Sequence, residues 1–375
     1  MKMSIRILTV FLFISLLAPI AGLAEEVPSE KEVGAVFPEK QWFEDVHMAG
    51  FVDTYFSYNL NNPDSMKNTY GGLGSNFDFE HNTFSLSLAE LVFHKDPDPV
   101  GFRVDLDFGP TTDFVHCGAV NCPDTAGEAN YKNIQQAYVS WATPLGPKLE
   151  VGKFVTHMGA EVIESKDNWN YTRSLLFAYA IPYYHAGTRV NIPVNDMFFV
   201  NGYAYNGWNN VVENNDSKTF GATIGITPIP QLPILLNWIG PEEAFGDLQV
   251  YEAIATLNLT DSLSFMVDYN LGDRENAAGK DEGYSGIAAY ARWKKDPCAL
   301  AVRYENLKDD DGVIFGMTDN TISELTVTAE HTIAKNLLTR LEYRMDSADE
   351  KIFEDEDAQM SDSQSRIVLS AVYMF

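Results

Sequence analysis

His157, Glu161 and Glu164 lie in the stretch KFVTHMGAEVIESKDNWNY, residues 153–171. If that stretch is helical, its spacing puts one imidazole and two carboxylates on a common face. Such a trio could ligate a metal or relay a proton. A catalytic metal centre, however, usually takes three well-placed ligands, often two of them histidines, and only His157 is local. Nucleophile signatures are no stronger: GYSGI at 283–287 ends in Ile287 where G-x-S-x-G requires glycine. The acidic run at Asp309–Gly312 is not a calcium loop, because position one would be Leu307 and position twelve is Thr318. No enzyme, metal or cofactor is therefore expected. Cys117 and Cys122 fall in one predicted external loop, and in an oxidising compartment they are expected to form a disulfide. A zinc pair is the alternative, with only His116 nearby as a further ligand. Cys298, beside a KDP turn, is expected to stay unpaired.

Composition restricts what these residues can serve. The chain carries 53 acidic residues against 26 basic, a net charge of −27, which excludes a phosphate-binding surface and hence a nucleic-acid partner. Hydrophobic residues make up 45% and aromatics 13%, a folded composition rather than a disordered acidic one. At the N-terminus Lys2 and Arg6 precede an apolar run with no further charge until Glu25; Pro19, Gly22 and Ala24 complete a secretory leader over residues 1–24. Residues 25–46 then read as a periplasmic segment and 47–375 as one domain. A second uncharged stretch, 219–241, contains Pro228, Pro230 and Pro233 and cannot be one continuous helix.

The rest of the chain has period two. In SLSFMVDYNL, Leu263, Phe265, Val267, Tyr269 and Leu271 alternate with Ser264, Met266, Asp268 and Asn270. Phe102, Val104, Leu106 and Phe108 alternate in the same way with Arg103, Asp105 and Asp107. Such segments recur near 47–60, 83–95, 100–108, 131–143, 148–156, 185–193, 197–207, 217–227, 232–240, 249–260, 262–271, 283–294, 298–307, 321–332, 337–345 and 365–375. Sixteen strands joined alternately by short turns and long loops predict an all-β fold, a transmembrane antiparallel up-and-down β-barrel. The faces then invert those of a soluble sandwich, with the apolar side towards lipid. Arg103, Arg189, Arg292, Arg303, Arg340, Arg344 and Arg366 lie on the polar face, where a dry core would charge several kcal/mol for each ion. Phe102, Trp141, Trp293 and Phe375 at one end, and Tyr251, Tyr269, Tyr304 and Tyr343 at the other, form two expected interfacial girdles. Two strands fit imperfectly. Glu90 falls on the parity of Phe84, Leu86 and Leu88, and either parity of KLEVGKFV turns Glu150 or Lys153 to lipid unless a bulge occurs at Gly152.

The runs GFVDTYFSYNLNNP, NTFSLSLAELVF, VGFRVDLDFGPTTD and VGKFVTHMGAEVIESKDNWNYTRSLLF, with NGWNNVVENN later, resemble the OmpL-like β-barrel porin family. The resemblance spans nearly the whole mature chain and implies a porin-type barrel in the bacterial outer membrane. It brings no established functional residues, so the site expectations rest on the residues themselves.

A sixteen-stranded barrel leaves an aqueous channel, which makes passive diffusion of small hydrophilic solutes the expected function. The longest loop, 157–184, is the third external one, the loop that folds inward in sixteen-stranded porins. It is expected to constrict the pore through Glu161, Glu164, Asp167 and Arg173, facing a basic wall that includes Arg103, Arg340, Arg344 and Arg366. The same arginines could instead pair with neighbours such as Asp105, Asp107 and Glu342 and only stiffen the wall. Trp169, Tyr171, Phe177, Tyr179, Tyr183 and Tyr184 allow a sugar-selective channel, or simply pack the loop against the barrel. A non-conducting barrel acting as an enzyme or surface binder is the rival class. Expected partners are the lipid bilayer, lipopolysaccharide, small solutes, two further copies in a homotrimer, and the assembly machinery, which would read Tyr373 and Phe375 in the last strand.

Overall fold

The computed structural model describes residues 45–117, 131–242, 247–276 and 278–375. The expected leader, most of the segment 25–46, Cys122 and the side chain of Cys117 lie outside this set, and the expected disulfide with them. Sixteen long strands follow in order: β1 (His47–Asn59), β2 (Thr83–Lys95), β3 (Val100–Phe108), β4 (Ile134–Ala142), β5 (Lys148–Val155) and β6 (Tyr184–Asn195). Next come β7 (Phe198–Tyr205), β8 (Thr219–Ile226), β9 (Ile234–Glu242), β10 (Leu248–Asn258) and β11 (Leu263–Glu275). The set ends with β12 (Asp281–Lys295), β13 (Cys298–Asp309), β14 (Asn320–Ile333), β15 (Leu337–Ala348) and β16 (Ser363–Met374). Each pairs antiparallel with its neighbour in sequence, and β1 pairs with β16 to close the ring. Gly50 and Phe375 exchange both backbone bonds at 2.9 Å across that seam. Every strand expected from the period-two pattern is present.

Closure follows from the solvent. Hydrocarbon has no water to bond a free N–H or C=O, so a spanning sheet must have no edge. Among the described residues no helix is long and apolar enough to cross a membrane; the strands do it. The alternation of β15 shows the resulting inversion. Leu341, Tyr343 and Met345 point outwards, with Leu341 52% exposed, while Arg340, Glu342, Arg344 and Asp346 between them are buried in the interior. Strand β11 repeats the arrangement, with Phe265, Val267, Tyr269 and Leu271 outside and Asp268 and Asn270 inside.

The two misfits resolve differently. Between β1 and β2 the register steps from Asp53↔Leu88 to Thr54↔Leu86, leaving Ser87 as an extra, bulged residue. One added residue flips parity, so Phe84 and Leu86 face out whereas Leu88 and Glu90 face in. At Gly152 the expected bulge is absent. Tyr138↔Gly152 and Gly152↔Gly187 pair without a register shift. Instead Gly152 takes φ +143°, and a Cβ there would stand 2.2 Å from the Ala137 carbonyl oxygen, so only glycine fits. Glu150 and Lys153 on either side are both buried. The carboxylate pairs with Arg189, and the Lys153 ammonium lies 2.6 Å from His116 Nε2, at the end of the short helix α1 (Pro110–Cys117).

Leu341→Arg places a cation on the lipid face near mid-strand and is expected to destabilise the barrel by roughly 2–4 kcal/mol. Urea unfolding of barrel refolded into lipid vesicles measures this; an unchanged midpoint would contradict the assignment of faces.

Candidate functional site

Residues 156–183 connect β5 to β6, yet their hydrogen bonds go elsewhere. His157 Nε2 lies 3.0 Å from the Trp238 carbonyl oxygen on β9, and the Gly159 amide donates to Glu252 on β10 at 2.8 Å. Ser165 Oγ donates to Asp53 on β1 at 2.6 Å, and Asn170 donates to Thr328 on β14 at 2.7 Å. The Tyr171 and Thr172 amides donate to the Glu342 carboxylate on β15, while those of Leu175 and Leu176 donate to Glu305 on β13. In the opposite sense, Arg340 donates to the Ser165 and Asn168 carbonyls, Arg344 to Arg173 O, and Tyr284 on β12 to Ala180 O. A segment with little regular structure of its own thus has its backbone polar groups satisfied by wall side chains.

Strand register builds the wall that does this. Arg303, Thr326, Arg344 and Arg366 stand directly opposite one another across β13–β16. The adjoining row is Glu305, Glu324, Asp346 and Gln364. A basic row beside an acidic one lets every arginine find a carboxylate. Arg303, 0% exposed, pairs with Glu161 at 2.7 Å, Glu324 at 2.7 Å and Glu305 at 3.1 Å. Arg344 pairs with Asp346 at 2.9 Å, and Arg366 with Asp78 at 2.9 Å and Asp346 at 3.3 Å. Arg340 and Arg292 share Glu330.

The arginines of the expected basic wall fall into two settings. Arg303, Arg340, Arg344 and Arg366 are buried and paired with carboxylates; the first three also donate to loop carbonyls, whereas Arg366 donates to the Ser75, Asp78 and Tyr70 side chains. Of the expected constriction residues, Glu161 is buried against Arg303 and the Ser174 amide. Arg173 is buried as well, giving its Nε to Val162 O at 3.0 Å and its terminal amino groups to Tyr171 O and Ile163 O. Burial pulls its pKa below the usual arginine value, with Glu161 opposing. Glu164 and Asp167 differ: both border a cavity of about 630 Å³ that also touches Arg103 and Arg189. Asp105 holds Arg103 through both oxygens at 2.9 Å. The cavity further involves Glu90, noted from sequence only as a misfit of parity, and Gln136, Tyr138 and Lys166, which were not singled out. Lys166 sits in plain view between Glu164 and Asp167, but counting only carboxylates in that run hides it. A separate cavity of about 270 Å³ lies among the long loops, bordered by residues such as Phe114, Tyr179, Trp208 and Ile314.

The opening trio is dispersed: His157 faces Tyr205 Oη (3.0 Å) and Trp238 O, Glu161 faces Arg303, and Glu164 accepts from Gln135. The His157 ring stacks on Tyr203 at 4.2 Å. Burial, with Arg189 adding repulsion, pushes its pKa down to about 4 despite the Trp238 carbonyl. The aromatic residues of the loop pack: Tyr171 against Tyr55 at 6.0 Å, Trp169 edge-on to Tyr290 at 6.3 Å, and Phe177 against Phe77 and Tyr183.

A closed, sixteen-stranded antiparallel barrel with an apolar outer belt and a charged interior defines a porin of the bacterial outer membrane. The sequence profile of the family described as beta-barrel porin-2, OmpL-like, matches residues 45–375, and the chain belongs to that family. The fold is similar to the outer-membrane channel DcaP of Acinetobacter baumannii, at TM-score 0.60 and 12% identity, covering 88% of this chain and 97% of that one. It is also similar to the anion-selective porin of Comamonas acidovorans, at TM-score 0.59 and 11% identity over 88% and 99% of the two chains. OmpT of Vibrio cholerae matches at TM-score 0.57 and 12% identity over 88% and 97%. No protein of curated function matches the chain.

Two outcomes are expected. Arg303→Ala strands Glu161, Glu305 and Glu324 in a buried setting and should cost about 3–5 kcal/mol in urea unfolding; a loss below 1 kcal/mol would contradict the pairing. For His157 the folded pKa near 4 lies below the ordinary unfolded value, so the unfolded chain binds the extra proton in that window. Stability present above about pH 6.5 is therefore lost as pH falls towards 4, on the order of 2 kcal/mol from this group. His157→Gln should lose less stability than wild type between pH 7 and pH 4.5; equal losses would show that His157 does not contribute.

Proposed function

We propose that this porin is a passive diffusion channel for small hydrophilic solutes, with residues 156–183 folded inward as its constriction. The observation that carries the reading is the 630 Å³ cavity, which has Arg103, Tyr138 and Arg189 of the wall on one side and Glu164, Lys166 and Asp167 of the loop on the other. Solutes would pass between the loop and strands β2–β6, because loop amides are bonded to β10, β13 and β15 and the Ser165 side chain to β1, with Glu164 also tied to Gln135 of β4. Unlike charges across such a gap set a transverse field that orients polar solutes and disfavours apolar ones. The packing of Tyr171, Phe177 and Tyr184, all buried, supports plain diffusion over a sugar-stacking slide. Passage needs no covalent step, so no catalytic residue is assigned. A homotrimer is the proposed assembly; OmpT of Vibrio cholerae has a trimer form.

Planar-bilayer reversal potentials under a KCl gradient test the constriction. Glu164→Gln combined with Asp167→Asn removes the loop's two cavity carboxylates and should move the reversal potential towards anion preference by several millivolts or more. An unchanged reversal potential and single-channel conductance would remove the loop from the pathway.

A further inference from the structure

The two guanidinium groups beside the 630 Å³ cavity are built alike. Arg103 is held at Nε by both oxygens of Asp105, and Arg189 at Nε by Glu150. The Arg189 guanidinium also lies over the rings of Phe154 at 4.7 Å and Tyr138 at 5.0 Å, which fixes its plane. Among the described residues no partner engages the terminal amino groups of either, and their side chains are 38% and 24% exposed. This differs from Arg303 and Arg344, whose terminal amino groups are taken by the loop. Two pinned forks with spare paired donors on one wall suit a carboxylate, which a guanidinium can bind through parallel bonds.

The other side of the cavity has a spare acceptor. Glu164 on the loop has one carboxylate oxygen engaged by Gln135, which leaves the other to accept. Lys166 and Asp167 pair with each other at 2.5 Å and largely cancel. A simple anion would thus meet Glu164, and a simple cation would meet Arg103 and Arg189. A solute carrying both charges offers each side its opposite. We propose that the inner cavity is a subsite for zwitterionic solutes of the amino-acid and short-peptide class, with the carboxylate at Arg103 and Arg189 and the ammonium towards Glu164. This rests on the channel reading and names its preferred solute.

Swelling of proteoliposomes containing the full chain tests it, using γ-aminobutyrate, erythritol of similar size, and 4-hydroxybutyrate, which keeps the carboxylate but lacks the ammonium. γ-Aminobutyrate should enter faster than both, by roughly threefold to tenfold, the worth of one partly exposed charge-assisted contact. Arg103→Gln with Arg189→Gln should bring the γ-aminobutyrate-to-erythritol ratio close to one. Glu164→Gln, in the loop and remote from barrel closure, should lower the same ratio if the arginine pair fails to assemble. KCl conductance measured on the same preparations separates the two claims. Its absence would defeat the channel itself, whereas conductance with entry ordered by size alone, or with 4-hydroxybutyrate ahead, would overturn only the zwitterion subsite.

Discussion

A backbone amide in hydrocarbon has nothing outside the protein to bond, and this constraint governs the rest of the molecule. It forces the sixteen strands into a ring sealed by β1 and β16. Because side chains alternate along a strand, closure then sorts every residue to lipid or to interior. Leu341, Tyr343 and Met345 go out, while Arg340, Glu342, Arg344 and Asp346 go in. The interior so created is lined with charge, and those charges must themselves be satisfied. Register does part of this by setting a basic row against an acidic one across β13–β16. Residues 156–183 do the remainder, giving their carbonyls to Arg303, Arg340 and Arg344 and their amides to Glu305 and Glu342.

The loop and the wall are therefore one electrostatic unit. Without the loop, terminal N–H groups of Arg303, Arg340 and Arg344 would lack acceptors; without the arginines and glutamates, a segment with almost no regular structure could not be held in a fixed course. Such mutual dependence argues for a rigid element rather than a mobile flap, since each broken contact would leave a desolvated ion or a bare backbone group. What stays open to water is the other side of the interior, where Arg103 and Arg189 are pinned but not saturated.

The barrel was legible in the sequence because period two survives any tertiary context: a strand facing lipid on one side and charge on the other must alternate. All sixteen strands follow from that signal, with ends shifted by a few residues. Parity failed only where the backbone departs from regular pairing. At Ser87 one extra residue sends Glu90 inwards, and at Gly152 a positive φ that only glycine takes does comparable work without an insertion. The site was less legible. Which arginine is buried and which is wet depends on pairing across strands far apart in sequence, so Arg303 and Arg103, alike in pattern, have different roles. Glu161 and Glu164, three residues apart, likewise separate into a buried ion pair and a cavity carboxylate.

The central claim is that residues 156–183 stay fixed to the wall while the channel conducts. A disulfide from Ser165→Cys to Asp53→Cys spans the point where the loop meets β1, whose side chains now hydrogen-bond at 2.6 Å. Single-channel conductance before and after oxidation is the most direct measurement. Ready cross-linking with unaltered conductance is the predicted result. Failure of the bond to form, or a conductance that collapses on oxidation and returns on reduction, would contradict a fixed loop.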